Sequence, residues 1–317
     1  MLRYAARRIV LAVPVLFGVS LISFAIIHLI PGDIVSVLAG PTVAANSAAA
    51  QNIRHALNLD QPLPVQYGLW LLAALHGDFG NSLVFGFPVG PQIAAHLPVT
   101  LVLTALSLIF AIMIGLPGGV VAATTRGRWP DFIIRGAGLL GLSTPPFFVG
   151  VTAVLLLSIY LPSFKTLGAV DLAGDPLGGL QTLLLPAVVL SLASATTIMR
   201  YTRAAMLEVL AEPYMATARA KGAGRARVLL RHGLRNALLP VVTAIGVTAA
   251  QLVAGAVVVE QVFGLPGIGQ LMLNAIYHRD YTQVQATVLV VTTLVVLINI
   301  AVDLSYYLLD PRIQQHG

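Results

Sequence analysis

Five arginines and one lysine stand between Pro213 and Pro240, in "PYMATARAKGAGRARVLLRHGLRNALLP", in a chain whose charged residues make up only 9% of the total. Arg219, Lys221, Arg225, Arg227, Arg231 and Arg235 are the densest ionic cluster in the sequence. Three chemistries fail on spacing. A Walker-type phosphate loop needs Gly-Lys followed by Ser or Thr, whereas the two lysines follow Phe164 and Ala220. A zinc-protease helix needs the pair His-Glu, and no glutamate follows a histidine. The serine elbow Gly-x-Ser-x-Gly does not occur. With no cysteine there is no disulfide, thiolate metal site or cysteine nucleophile.

The elements that carry this cluster are set by hydropathy. Mean hydropathy is +0.89 and 57% of residues are apolar, a composition that belongs in a lipid bilayer. About 20 apolar residues at 1.5 Å each cross the hydrocarbon core. Six stretches meet that length: Ile9–Ile30, Val99–Thr124, Phe132–Leu161, Leu180–Tyr201, Val241–Val262 and Val284–Leu309. The first is too long for the apolar region of a signal peptide, and "PGD" stands where a small-residue cleavage site belongs, so it is expected to be retained. Inside the spans, apart from Arg135 and Arg200 near their cytoplasmic ends, only His28, Glu260 and Asp303 ionise, each near an end. An intramembrane protease or an ion-driven carrier keeps such groups near the midplane. Uphill transport by this chain would therefore draw its energy from another one.

Basic residues collect on the cytoplasmic side of membrane proteins. With the N-terminus inside, Arg3, Arg7, Arg8, Arg126, Arg128, Arg135, Arg200, Arg203, Arg312 and the six residues of the cluster are cytoplasmic, leaving Arg54, Lys165 and Arg279 outside. Both termini are thus expected in the cytoplasm. The +6 net charge reflects topology, and no nucleic-acid partner is implied.

Two segments between spans are long. The external one, about Pro31 to Pro98, predicts a helix near Ala48–Leu59, a second stretch over Val65–Leu75 and a turn-rich "HGDFGNS". The cytoplasmic one predicts a short helix starting at Pro213 and ending at Lys221 and Gly222, then a second from Arg225 to about Asn236. Arg227, Arg231 and Arg235 would line one face of that second helix and Leu230, Leu234 and Leu238 its neighbour. Helix breakers inside the spans, "GLPGG" at 115–119 and "LSTPP" at 142–146, either line a path or pack kinks. Glu260 either touches a solute or anchors the "FGLPGIG" turn that follows it; for Asp303 an interhelical partner is expected.

The pattern "ATARAKGAG…LRHGLRN" resembles the cytoplasmic EAA loop of ATP-binding-cassette importer permeases, and nearly the whole chain is similar to the oligopeptide/dipeptide/nickel permease family. The opening "MLRYAARRIVLAVPVLFGVSLISF" with "PGD", then "LDQPLPVQY", "GDFGNS", "LSTPPFF", "VVVEQVFGLPGIGQ", "HRDYTQVQ" and "LDPR" follow in the family's order. The departure is in the loop itself, where Ala216, Thr217 and Ala218 stand for Glu-Ala-Ala and Arg235 replaces a proline, while Gly222 and Leu234 are kept.

The resemblance implies an all-α polytopic membrane protein with six transmembrane helices and the type I importer permease fold. Residues 1–97 would form the first helix and the long extracytoplasmic segment, 98–310 the five-helix core with the coupling loop at about 212–236, and 311–317 a cytoplasmic tail. Tyr214, Ala216, Thr217, Ala218, Arg219, Lys221 and Gly222 would dock on the ATPase, and Ser143, Thr144, Pro145 and Glu260 are candidates for the translocation path. The implied partners are a second, paralogous permease, two ATPase subunits that hold ATP and magnesium, an extracytoplasmic binding protein and the bilayer of the plasma membrane. No catalytic, cofactor or metal site is expected in this chain. Short peptides are the expected solute; nickel or another metal chelate, glutathione or another small solute is the alternative within this architecture. A channel or scaffold without an ATPase partner is the alternative of a different class, and on pattern alone the basic loop also suits mere contact with anionic lipid.

Overall fold

The computed structural model describes residues 2–29, 60–161 and 170–309. The expected helix Ala48–Leu59 lies outside them, as do Arg54, Lys165, Arg312 and the tail 311–317. The described residues form α1 (Leu2–Leu29), α2 (Leu63–Leu75), α3 (Val89–Thr124), α4 (Trp129–Ser143), α5 (Pro146–Tyr160), α6 (Pro176–Ala211) and α7 (Pro213–Ala220). One α turn, Arg225–Arg227, and a π-helical stretch, Val228–Leu234, lead into α8 (Arg235–Phe263), followed by α9 (Ile268–Tyr277) and α10 (Tyr281–Leu309). Proline opens α2, α4, α5, α6 and α7 within their first two positions. Its fixed φ suits the helical turn, and the N–H it lacks has no helical acceptor there. Gly264 ends α8 in the left-handed region at φ 63°, where glycine carries no steric penalty.

Among the described residues, five helices are long and apolar enough to cross a membrane, and the pair α4 and α5, bent by 100°, makes a sixth span if counted together. The stretch Phe132–Leu161, expected as one span with the helix breakers of "LSTPP" inside it, is broken between Ser143 and Pro146. The cause is local. Pro145 disfavours helical backbone at Thr144, which is extended at ψ 122°, and Pro146 does the same to Pro145, at ψ 137°. Another proline-bearing span behaves differently, since α3 runs unbroken through Pro98 and Pro117.

The chain divides into two compact units. In the first, residues 1–8, 98–269 and 297–317, α6 is the central post, with α8 packed along it and α4 and α5 against it. Lipid is as apolar as leucine, so close fit rather than hydrophobicity holds helices together there. The fit comes from small residues. A Cβ on Gly115 would lie 2.5 Å from the Ala195 carbonyl oxygen, and one on Gly119 2.5 Å from Thr202 Cβ. "GLPGG" is therefore a packing stripe of α3 against α6. Buried hydroxyls bond back into their own helices, Ser107 to the Leu103 carbonyl at 2.7 Å and Thr202 to that of Ile198 at 2.8 Å, which satisfies them without water.

In the second unit, residues 9–97 and 270–296, α2 lies against α1. Tyr67 meets Phe17 and Phe24 edge-on, with ring centroids 6.0 and 5.4 Å apart, and its hydroxyl shares a 2.8 Å hydrogen bond with Ser20. After α2 the expected turns appear, with an isolated bridge between Asn81 and Pro88. Asp280 fixes this loop: its buried carboxylate accepts from the Ser82 hydroxyl and, at 3.2 Å, from the Leu83 N–H.

Candidate functional site

The short helix α7 begins where α6 ends. Glu212 turns out of the helix at φ −68°, ψ 141°, and Pro213 starts the next one eight residues long. Lys221 closes it, and Gly222 follows at φ 77°. Both ends are as the residue types predict. The helix has one buried side chain, Met215, 1% exposed. A Cβ on Gly233 would sit 3.4 Å from Met206 Cε and 3.6 Å from Met215 Cε, so the three residues form one contact that joins α6, α7 and the π-helical stretch. Outside that anchor, the Tyr214 hydroxyl accepts a 2.9 Å hydrogen bond from Asn236 Nδ2. Ala216, Thr217, Arg219, Lys221 and Gly222 are exposed and Ala218 is half-buried. The coupling candidates thus share one open surface carried on a helix pinned from behind.

The second arm differs from expectation. No separate helix ends at Asn236; the chain runs from Arg225 through the π-helical stretch into α8 without a break. Wider turns also change which residues face inward. Val228 and Gly233, five apart, are the buried pair, as the i→i+5 spacing of a π-helix dictates. Leu230, assigned by α-helical spacing to an apolar face, is 57% exposed. Arg227, Arg231 and Arg235 are all exposed.

The four translocation candidates do not form one cluster. Ser143 and Pro145 are exposed and Thr144 is half-buried at the bend, where the Thr144 N–H and hydroxyl both donate to the Leu140 carbonyl, at 3.0 and 2.8 Å. Around them Leu139, Leu140, Phe147 and Phe148 are 51 to 70% exposed. Glu260 is fully buried. Thr100 Oγ1 donates to its carboxylate at 2.6 Å and accepts from the Ile268 N–H at 2.8 Å. Added Cβ atoms on Gly267 and Gly269 would fall 2.1 and 2.8 Å from that carboxyl group, and the Glu260 carbonyl accepts from the Leu265 N–H at 2.9 Å. Glu260 therefore grips the turn that follows α8.

Among the described residues, two ion pairs lie in the first unit. Asp303 meets Arg8 at 3.1 Å, the interhelical partner that its depth in the last span demands. Sequence reasoning missed the other. Arg203 on α6 binds Asp131 at the start of α4 through two bonds, Nε to Oδ1 at 2.8 Å and an Nη to Oδ2 at 3.0 Å, and the Gly127 N–H adds a third at 3.1 Å. A forked, charge-assisted pair of this kind fixes orientation as well as distance. Asp131 is 1% exposed.

The chain matches two family models: the binding-protein-dependent transport system inner membrane component over residues 115–315, and the N-terminal component of such systems over residues 1–104. It is 38% identical over 314 residues, 99% of each chain, to the glutathione transport system permease protein GsiC of Escherichia coli (strain K12). It is 41% identical over 307 residues, 97% of each chain, to a Brucella suis biovar 1 (strain 1330) protein named for a peptide transport system permease. Among solved structures it resembles a chain of the MetNI methionine ABC transporter in an inward-facing conformation, at TM-score 0.56 and 23% identity, over 69% of this chain and 96% of that one.

Proposed function

The chain belongs to the family of binding-protein-dependent transport system inner membrane components, as a multi-pass permease subunit of an ATP-binding-cassette importer, and on that premise we propose that it walls half of an import path for short peptides. The observation that carries the reading is α7: eight residues outside the apolar spans, fixed by one buried methionine, with every coupling candidate exposed to a partner except Ala218, which is half-buried. A helix built that way moves as a rigid lever when a docked subunit moves.

In this reading Tyr214, Ala216, Thr217, Ala218, Arg219, Lys221 and Gly222 face an ATPase subunit, which holds ATP and magnesium. Both termini and α7 lie in the cytoplasm, in keeping with fifteen of eighteen basic residues falling on that side. A binding protein delivers solute from the opposite side. A second, paralogous permease completes the wall, and the exposed apolar residues around the α4–α5 bend suit that partner as well as lipid. Ser143 and Thr144 place hydroxyls at the bend, where freed backbone groups suit a wet cavity. Relatives named for glutathione and for peptide transport both support the solute class, since glutathione is itself a tripeptide.

Co-purification and uptake test this together. Gentle solubilisation should bring down two ATPase subunits and one nonidentical permease, and vesicles holding that complex should accumulate di- and oligopeptides only with ATP and the binding protein. Glutathione uptake that peptides do not compete narrows the solute. A chain that purifies without an ATPase and conducts solute without ATP supports a channel and overturns the reading.

A further inference from the structure

Two cavities of about 550 and 490 Å³ lie along the seam between α4 and α6. Arg135, Met199 and Arg200 line both, so they form one groove. Its first part adds Tyr201 and Arg203; its second adds Phe132, Leu139, Leu142 and Thr196. The groove is therefore basic at one end and largely apolar at the other. On α4 the order is Arg135, Leu139, Leu142, at helical spacing on one face; on α6 it is Arg203, Arg200, Thr196, running the same way. Seven residues of helix separate the two ends, about 10 Å, roughly a third of a hydrocarbon core.

Charge decides what fits. Arg203 is already committed to Asp131, and no carboxylate lines either cavity. Arg135 and Arg200 are exposed and form no ion pair within 4 Å among the described residues; Asp131, bonded to Arg203, also attracts Arg135, so three arginines face one carboxylate and the basic end keeps an excess of two positive charges. Trp129, 79% exposed six residues before Arg135, and Tyr201, 54% exposed beside Arg200, mark the same end. Such aromatics settle at the headgroup level of a bilayer. It is the end of α6 from which α7 leaves.

We propose that this groove holds an anionic phospholipid, its headgroup phosphate between Arg135 and Arg200 and an acyl chain along Leu139 and Leu142. Free phosphate would leave the apolar part uncovered, and a zwitterionic headgroup would leave the two positive charges unbalanced. The site ties lipid to the helix that carries the coupling surface. It rests on the chain spanning a membrane and not on which solute is carried.

The test uses the assembled complex, stripped of lipid in detergent and re-exposed to phosphatidylglycerol, phosphatidylcholine or inorganic phosphate, with bound lipid counted by native mass spectrometry. The complex should retain phosphatidylglycerol over phosphatidylcholine, and inorganic phosphate should not displace it. Arg135→Gln with Arg200→Gln should weaken retention about 30-fold, from about one screened charge interaction per arginine, with all subunits kept. Leu139→Trp, which fills the apolar part and leaves both arginines, should also expel the lipid, and it decides the matter alone if the double variant fails to assemble. Equal retention of the two lipids, displacement by inorganic phosphate, or lipid binding unchanged in the variants overturns the proposal. Loss of the second permease with lipid still bound overturns it too, by marking the seam as a subunit interface.

Discussion

Asn236 donates a 2.9 Å hydrogen bond to the Tyr214 hydroxyl across twenty-two residues of sequence, and this bond ties the outer side of α7 to the first turn of α8. Asn236 also donates to the His232 carbonyl at 3.0 Å, so the same amide spans the end of the π-helical stretch. An exposed bond of this type contributes about 1 kcal/mol. Asn236→Ala should leave assembly and thermal stability nearly unchanged while lowering peptide uptake per ATP hydrolysed, because a looser α7 transmits less of the ATPase movement. Paired uptake and hydrolysis rates in reconstituted vesicles check this, and an unchanged ratio argues against the bond as a strut.

Gly222 should be intolerant of proline. Its φ of 77° is closed to a ring that fixes φ near −65°, so Gly222→Pro must move the end of α7. Ala218→Asp acts by charge, placing a carboxylate at a half-buried position of the docking surface with no built-in partner. Both variants should reach the membrane, and both should lose about tenfold or more in coupled uptake, equivalent to about 1.4 kcal/mol of docking. Normal uptake by both contradicts the docking surface.

The pair Asp131 and Arg203 should behave as a buried ion pair. Breaking one from one side leaves an uncompensated charge and costs about 3–5 kcal/mol; the 21% exposure of the Arg203 side chain points to the lower figure. Asp131→Asn should therefore lower the unfolding temperature in detergent clearly, and Asp131→Asn combined with Arg203→Met should recover part of the loss. A double variant no more stable than the single one speaks against pairing as the cause.

How far the sequence announces this structure depends on the range of the interaction involved. Pro213 and Gly222 mark the ends of α7 because their chemistry is local, and the break at Ser143–Pro145 is visible in two adjacent prolines. The 100° direction of that break is not, since the residues that disfavour helix say nothing about where the chain goes next. The π-helical turns were hidden by arginines at every fourth position, a spacing that reads as an α-helix. Asp131 and Arg203 are 72 residues apart, and a single acidic residue at a helix start looks like a response to the helix dipole. The grip of Glu260 on the turn after it was legible; its partner Thr100, 160 residues away, was not.

Glu260 separates a turn anchor from a solute contact. Glu260→Gln keeps an oxygen for the Thr100 hydroxyl and should fold with near-normal uptake. Gly269→Ala should be worse than that change, because its Cβ would lie 2.5 Å from Val257 Cα, and overpacking of this kind costs about 1–3 kcal/mol. The check is expression and unfolding temperature alongside the peptide concentration at half-maximal uptake. A changed half-maximal concentration in Glu260→Gln with stability intact would place this residue on the path instead.

Docking of α7 on an ATPase subunit is the central claim, and the absence of cysteine in the chain allows a direct measurement. A single cysteine at the exposed position Thr217, in the assembled complex with cysteines scanned across the ATPase surface, should form a disulfide with the ATPase and become shielded from a water-soluble maleimide. A control cysteine at the exposed Tyr160 should form none. Locking the disulfide should stop uptake, and reduction should restore it. A Thr217→Cys variant that transports normally in the full complex, stays open to maleimide and crosslinks to no ATPase position contradicts the account.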